Sequence, residues 1–181
     1  MTDKKILFLC AHNQSRSTTA EGLLTGEKGY QVKSRALWRG MPREVTIEDG
    51  EWADEIYVMM SGMKKVAKKS GLPEQKLKAL RIPDMFMACE LPLLLELKQQ
   101  LAGWGIHVKK DMAQAERDCE NVMVRKGIYG KAESGGWYGL YSPLWHLEQG
   151  ENKKKGLRDF EDAAVEKWAA GIERWAKKGQ G

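Results

Sequence analysis

The chain has 181 residues, of which 42% are hydrophobic, and this is enough for one α/β core with an appendage. The net charge of +5 is mildly basic, but no aromatic-basic pattern organises the scattered lysine pairs into a nucleic-acid surface. Three cysteines without framework spacing argue against a disulfide scaffold, and no apolar run is long enough to span a bilayer. We therefore expect a cytoplasmic protein with reduced thiols, no signal peptide, and no membrane or nucleic-acid partner.

Short apolar runs alternate with helical patterns over the first hundred residues. Strands are predicted at 5–9, 30–38, 55–60 and 78–82. Helices are predicted at 17–28, 45–52, 61–70 and 91–101, with Ser61 as the N-cap of the third and glycines beyond the ends of two of them. This alternation predicts an α/β fold with a four-stranded parallel sheet and helices on both faces.

The composition changes after residue 103, since five of the seven tryptophans lie beyond it. Helices are predicted at 110–125 and 157–177, with a Gly-aromatic loop or hairpin at 133–141. Four aromatic side chains in and after this loop would either line a lid or fill a second small core: Trp137, Tyr138, Tyr141 and Trp145. We predict an α/β domain at 1–103 and a Trp-rich, mainly helical C-terminal extension at 104–181 that packs on it.

The segment KILFLCAHNQSRST places Cys10 at the end of the first strand and Arg16 at the opening of the first helix. Ligands of parallel sheets bind beyond the carboxyl ends of the strands, where Asp84 also lies, after the fourth strand. A helix N-terminus and a nearby arginine both favour a thiolate at Cys10. Arg16 can donate two parallel hydrogen bonds to a phosphate, and five loop residues offer backbone N–H groups around it: Ala11, His12, Asn13, Gln14 and Ser15. The loop therefore predicts a pocket for a tetrahedral dianion with a sulfur nucleophile behind its central atom.

Several of these residues also have ordinary interpretations. Cys10 would otherwise be a buried core thiol. Asn13 either ties the loop with side-chain hydrogen bonds or is a turn residue, and Ser17 either donates to the sulfur or caps the helix. His12 is expected at the rim of the pocket. A metal site is not expected, because His107 and His146 have no ligand spacing to His12.

The sequence LFLCAHNQSRSTTAEGLL resembles the phosphate-binding loop and first helix of the low-molecular-weight protein tyrosine phosphatases. It is most similar to a small bacterial branch with the loop Cys-x-x-Asn-x-x-Arg-Ser followed by Thr-Ala-Glu. WADEIYVM resembles the third strand of that branch, and LRIPDMF resembles the segment after its fourth strand. The resemblance covers about residues 4–103, and it implies the phosphotyrosine phosphatase I-like fold and an activity on phosphotyrosine or another aryl phosphate.

The resemblance implies a two-step reaction through a thiophosphoryl-cysteine, with Cys10 as nucleophile and Arg16, Ser17 and the loop amides around the phosphate. It implies no metal or cofactor. The family's general acid is an Asp usually followed by Pro, and here the sequence departs, because Asp84 precedes Met and Glu90 stands near the expected place. We favour Asp84 as the acid, with Glu90 as the alternative. Thr18, where the family often has Pro, is a smaller departure.

Two other functions stay open. Arsenate reductases share this fold and loop and resolve an oxidised intermediate through further cysteines. Cys89 would be such a cysteine, or a protective partner for Cys10, whereas Cys119 lies in a different segment and is predicted to be a poor second member of the pair. Both are otherwise plain buried thiols. The altered acid region also allows a phosphate- or phosphopeptide-binding module that has lost its chemistry. The physiological substrate and the oligomeric state are not predicted.

Overall fold

The computed structural model describes residues 2–127. Its strands are β1 Lys4–Cys10, β2 Tyr30–Ala36, β3 Glu55–Val58 and β4 Leu77–Ala79. Its α-helices are α1 Arg16–Leu24, α2 Ile47–Trp52, α3 Met63–Lys69, α4 Leu91–Gly103 and α5 Met112–Arg125. All strand pairs are parallel and the order is β2-β1-β3-β4, so the predicted four-stranded parallel sheet is confirmed.

β1 lies inside the sheet, with β2 on one side and β3 on the other. Its residues from Ile6 onward are buried, because helices cover both faces of the sheet. Side chains alternate along a strand. Ile6 and Phe8 pack into a core that includes residues of α1, α4 and α5, whereas Leu7 and Leu9 pack into a second core with residues of α2 and α3. The prediction of helices on both faces is therefore confirmed.

α5 packs directly on α1, although it lies in the stretch predicted as the C-terminal extension. Every residue of α1 is buried. A Cβ added at Gly22 of α1 would lie 2.5 Å from the Cα of Cys119, so glycine at this position allows the two helices to approach closely. The boundary at 103 stays a prediction, but α5 and α1 share one core.

Several elements are shorter than their patterns predict. β2, β3 and β4 end at residues 36, 58 and 79 instead of 38, 60 and 82, because the chain leaves the ladder at the edge where the loops begin. α1 ends at Leu24 instead of residue 28, since Thr25 has ψ of 126° and Gly26 follows with a φ of 78°. α3 begins after Gly62, so the prediction of Ser61 as its N-cap is wrong.

The predictions for residues 128–181, namely the Gly-aromatic loop, the amphipathic helix and the aromatic lid or second core, lie outside the described residues. Among the helices of residues 2–127, none has both the length and the apolar character needed to cross a membrane.

Candidate active site

The loop between β1 and α1 lies at the carboxyl edge of the sheet and joins two of the predicted site residues. Cys10 is the last residue of β1 and Arg16 is the first residue of α1. Each is only 4% exposed, so little water reaches the thiol or the guanidinium. The predicted arrangement of strand, tight loop and helix is therefore present.

The carbonyl groups of the loop are held by neighbouring segments. The carbonyl oxygen of Ala11 accepts from the N–H of Trp38 at 3.2 Å, and that of Asn13 accepts from Nη2 of Arg43 at 3.0 Å. In a trans peptide the following N–H points away from the carbonyl. The two N–H groups that follow therefore point to the opposite side of the loop, as an anion-binding nest requires, and they belong to His12 and Gln14.

Asn13 ties the loop from within. It is fully buried and has a φ of 53°, in the left-handed region that asparagine tolerates better than most residues. Its side-chain Nδ2 donates to Oγ of Ser17 at 2.9 Å and to Oγ of Ser34 at 2.8 Å. The interpretation of Asn13 as a residue that ties the loop by side-chain hydrogen bonds is confirmed.

The sulfur of Cys10 lies 2.9 Å from the hydroxyl oxygen of Ser17. Ser17 is fully buried one residue into α1, and no side-chain cap is present at Ser15, the N-cap residue. The hydroxyl of Ser17 therefore contacts the sulfur rather than capping the helix. A donor at this distance stabilises a thiolate.

Arg16 and Asp84 are neighbours at the mouth of the loop. Nε of Arg16 lies 3.5 Å from Oδ1 of Asp84, and Nη1 of Arg16 donates to the carbonyl of Ile82 at 2.9 Å. The guanidinium has five N–H donors, so these two contacts do not exhaust it. The Asp84 side chain is 72% exposed, and Oγ of Ser15 fixes the same segment by donating to the carbonyl of Phe86. Asp84 can thus meet a ligand that arrives from solvent.

Glu90 has a different surrounding. It is the N-cap residue of α4, and its Oε2 accepts from the N–H of Met87 at 3.1 Å. Burial raises the pKa of the Glu90 carboxyl, and the hydrogen bond from Met87 lowers it by less. Its described contact is therefore local to the start of α4, whereas the described contact of Asp84 is with Arg16 of the loop.

The rim of the loop carries two aromatic rings. The rings of His12 and Trp38 meet edge to face with centroids 5.1 Å apart, and Trp38 is 54% exposed. The expectation that His12 lies beside the loop opening is consistent with this contact. Trp38 adds an exposed apolar surface next to it, which sequence patterns alone did not single out.

A buried polar cluster lies behind the loop, and the sequence analysis missed it. Ser34 of β2 donates to Oε2 of Glu21 at 2.5 Å, and Nζ of Lys126 lies 2.7 Å from both Ser34 Oγ and Glu21 Oε2. The side chains of Glu21 and Lys126 are only 6% and 8% exposed. Arg43 joins the cluster by donating from Nε to Oδ1 of Asn13 at 2.8 Å. Glu21 is part of the Thr-Ala-Glu motif, but the two cations have no local sequence signal.

Cys89 and Cys119 are in contact, so the prediction that Cys119 is a poor partner for Cys89 is wrong. Packing of α5 on α1 brings them together: the Cys119 thiol donates to the carbonyl of Thr19 at 3.3 Å, and the N–H of Cys89 donates to Oγ1 of the same Thr19 at 3.0 Å. A hydrogen bond with Cys119, together with burial, raises the pKa of the Cys89 thiol. Both cysteines are at most 1% exposed, as expected for plain buried thiols. Disulfide exchange needs a thiolate, so this setting weighs against the arsenate reductase alternative.

Across residues 2–127, no cluster of three or more His, Cys, Asp or Glu side chains is arranged to hold a metal ion. The groups that the loop brings together are the Cys10 thiol, the Ser17 hydroxyl, the Arg16 guanidinium and the Asp84 carboxyl.

No protein-family model matches this chain, and no curated protein matches it. Solved structures that resemble it include Wzb of Vibrio vulnificus in complex with benzylphosphonate, which is 14% identical, with 68% of this chain and 99% of that chain covered at a TM-score of 0.42. Another is a low-molecular-weight protein tyrosine phosphatase of Streptococcus pyogenes, 19% identical, with 67% of this chain and 92% of that chain covered at a TM-score of 0.41. A third is the YwlE arginine phosphatase of Geobacillus stearothermophilus, 16% identical, with 68% of this chain and 88% of that chain covered at 0.38. Low-molecular-weight protein tyrosine phosphatases are thus among the solved structures that this chain resembles, as its loop sequence predicts.

Proposed function

We propose that the protein is a cysteine-dependent phosphatase that hydrolyses phosphotyrosine or another aryl phosphate monoester. One observation carries this proposal: Cys10 and Arg16 stand at the two ends of the same short loop at the carboxyl edge of the sheet. The buried thiol contacts Ser17 Oγ, and the buried guanidinium lies 3.5 Å from Asp84. These groups are a nucleophile, an oxyanion clamp and a proton donor, which together suit phosphoryl transfer.

In the first step, the Cys10 thiolate attacks phosphorus in line with the leaving group. An S–P bond forms, the P–O bond to the aryl group breaks, and the Asp84 carboxylic acid gives its proton to the departing oxygen. Arg16 and the loop N–H groups hold the equatorial oxygens, where negative charge is spread in the transition state. The enclosure of Arg16, which is 4% exposed, strengthens these interactions by keeping water away.

In the second step, water attacks the phosphorus of the thiophosphoryl-cysteine while the Asp84 carboxylate accepts its proton. The S–P bond breaks and the electron pair returns to Cys10 as a thiolate. Ser17 lies 2.9 Å from the sulfur and donates to it as the charge develops. Inorganic phosphate then leaves and the carboxyl is protonated for the next cycle.

The preference for an aryl ester rests on the rim of the loop. Trp38 follows β2, is 54% exposed and contacts the ring of His12. An aromatic leaving group that lies against Trp38 would bury apolar surface which an alkyl phosphate such as phosphoserine would leave exposed. The proposed substrate class is therefore a phenolic phosphate ester.

The test compares hydrolysis of para-nitrophenyl phosphate by the full-length protein and by Cys10→Ser. We expect turnover by the wild type and at least a thousandfold loss in the variant, because an alcohol at position 10 is a far weaker nucleophile than a thiolate. Cys119→Ser is the matched control. Its thiol contacts the carbonyl of Thr19 and not the site residues, so this variant should keep the turnover of the wild type. Wild-type turnover no higher than that of Cys10→Ser would disprove the proposal.

A peptide series refines the substrate class. Peptides of one sequence that carry phosphotyrosine, phosphoserine or phosphoarginine should differ in kcat/KM, with phosphotyrosine highest. Trp38→Ala should reduce that preference, whereas Trp104→Ala, an exposed tryptophan just after α4, should not.

A further inference from the structure

Two buried or half-buried cations lie behind the loop and have no part in the steps described above. Arg43 reaches Asn13 twice, from Nε to Oδ1 at 2.8 Å and from Nη2 to the backbone oxygen at 3.0 Å. Its Nη1 donates to the carbonyl of Lys126 at 2.9 Å. Nζ of Lys126 also lies 3.4 Å from Oδ1 of Asn13. Both cations therefore converge on the residue that ties the loop together.

These contacts determine which way the Asn13 amide points. Guanidinium and ammonium groups can only donate hydrogen bonds, so the atom facing them must be the amide oxygen. The amide nitrogen then faces Ser17 and Ser34 and donates one hydrogen to each hydroxyl oxygen. With the amide reversed, the amide nitrogen of Asn13 would face Nε of Arg43, and both of these atoms can only donate.

The direction of the amide fixes the hydroxyl of Ser17 in turn. Ser17 Oγ accepts a hydrogen bond from Asn13 at 2.9 Å and lies 2.9 Å from the sulfur of Cys10. A thiolate has no hydrogen to give, so Ser17 is the donor to the sulfur when Cys10 is ionised. A chain of donors thus runs from Arg43 through Asn13 and Ser17 to Cys10. Each donor in such a chain polarises the next.

Ser34 and Glu21 complete the arrangement on the other side. Ser34 Oγ accepts from Asn13 and from Lys126, and it donates to Glu21 Oε2 at 2.5 Å. Lys126 neutralises Glu21 through an ion pair of 2.7 Å between two side chains that are each less than a tenth exposed. Arg125 also pairs with Glu21, from Nη2 to Oε1 at 2.6 Å, but its side chain is 62% exposed. Loss of Lys126 would therefore leave Glu21 with only a solvent-screened cation, and its negative charge would oppose an anion at Cys10.

The charge of Arg43 reaches Cys10 itself. Burial and the neighbouring Arg35 lower the pKa of the Arg43 guanidinium, while Glu21 and Cys10 raise it. The titratable or charged groups of the loop and of the elements packed behind it are His12, Arg16, Glu21, Arg35, Arg43, Asp84, Arg125 and Lys126.

We propose that Arg43 and Lys126 are positioning residues, which orient Asn13 so that Ser17 donates to the sulfur of Cys10 and favours its thiolate. This inference rests on the proposed function, but it concerns the state of the thiol before any substrate binds. Arg43 acts by fixing the direction of the hydrogen bonds, and Lys126 acts by neutralising Glu21.

The test measures alkylation of Cys10 by iodoacetamide as a function of pH, with the modified residue identified by mass spectrometry. Only the thiolate reacts, so the pH of half-maximal rate reports the thiolate fraction without any turnover. In Arg43→Met and Lys126→Met we expect this pH to rise and the rate at neutral pH to fall about threefold to tenfold. The effect is smaller than the loss of a whole hydrogen bond to a charged group, because each cation acts on the sulfur only through its neighbours. Arg39→Met on the same loop as Arg43, and Arg117→Met on α5, are exposed matched controls that should behave as the wild type.

Thermal unfolding of each variant checks that it is folded. If Arg43→Met does not fold, Arg43→Lys takes its place: it keeps the charge but loses the fork that makes two contacts with Asn13, and should give a smaller shift in the same direction. A wild-type pH profile in the folded Arg43 and Lys126 variants would overturn the inference. Failure of phosphate ester hydrolysis would refute the proposed function and leave the alkylation result unaffected.

Discussion

The hydroxyl of Ser17 and the sulfur of Cys10 lie 2.9 Å apart, and both groups are almost completely buried. Ser17 is the second residue of α1, and its hydroxyl oxygen accepts from the side chain of Asn13. The Ser17 hydroxyl is therefore placed to donate to the sulfur when Cys10 is ionised.

Ser17→Ala should slow the second step more than the first, because the sulfur is the leaving group when the thiophosphate is hydrolysed. We expect kcat to fall about tenfold to a hundredfold, since a hydrogen bond to a charged group contributes roughly 1.5–3 kcal/mol. Rapid mixing with para-nitrophenyl phosphate should show a larger burst of phenolate followed by slower turnover. Ser70→Ala, which removes a hydroxyl at the end of α3, is the control. An unchanged burst and turnover in a folded Ser17→Ala would contradict this role.

Asp84→Asn should lower the rate of the first step in proportion to how poor the leaving group is. We expect a loss of about a hundredfold with phenyl phosphate and a smaller loss with para-nitrophenyl phosphate, whose phenolate leaves without protonation. Glu90→Gln should keep the wild-type burst rate. The opposite pattern would make Glu90 the acid. Tight phosphate binding without turnover in the wild type would instead favour a binding module.

Glu90→Gln should stabilise the fold at neutral pH and lose this advantage in acid. Burial raises the folded-state pKa of Glu90 above its ordinary value of about 4.5, so the native state holds this proton more tightly than the unfolded state does. The stabilisation that this bound proton gives to the wild-type native state is fully present below about pH 4.5, and it is lost as the pH rises through the folded-state pKa. The Tm difference between Glu90→Gln and the wild type should therefore grow from about pH 4 to about pH 7. Glu51→Gln, at an exposed position, is the control, and a pH-independent difference would contradict the prediction.

Gly22→Ala should destabilise the protein by about 1–3 kcal/mol, because overpacking forces neighbouring atoms apart. The added Cβ would meet the Cα of Cys119 at 2.5 Å, a backbone atom that cannot rotate away. Gly103→Ala at the end of α4 is the control, since nothing lies within 4 Å of its added Cβ. Urea unfolding of the two variants measures the difference, and equal midpoints would show that α5 can shift without loss.

The positions of Cys10, Arg16 and Asp84 could be predicted because local sequence determines each of them. An apolar strand that stops, a helix that opens and a proline after a strand end are all readable within a few residues. The parallel sheet then brings these strand ends to one edge. Their distances could not be predicted, since they depend on how the loop is tied.

The contacts of Arg43 and Lys126 with Asn13 could not be predicted either, because they depend on tertiary packing and not on local sequence. They lie 30 and 113 residues from Asn13 along the chain, and the second contact exists only because α5 packs on α1. The contact between Cys89 and Cys119 follows from that packing as well. A sequence pattern reports the face that a helix buries but not which helix covers it.

The ion pair between Glu21 and Lys126 has a consequence for any attempt to work with a shorter protein. A fragment cut at residue 103, where the composition changes, would retain the cysteine, the arginine and the aspartate yet lose the helix that lies over α1. It would lose both cations that pair with Glu21, and it would expose to water the apolar side chains of α1 that α5 covers. The smallest piece that keeps the core around α1 therefore extends past Lys126, and α5 belongs to the same folding unit as the sheet.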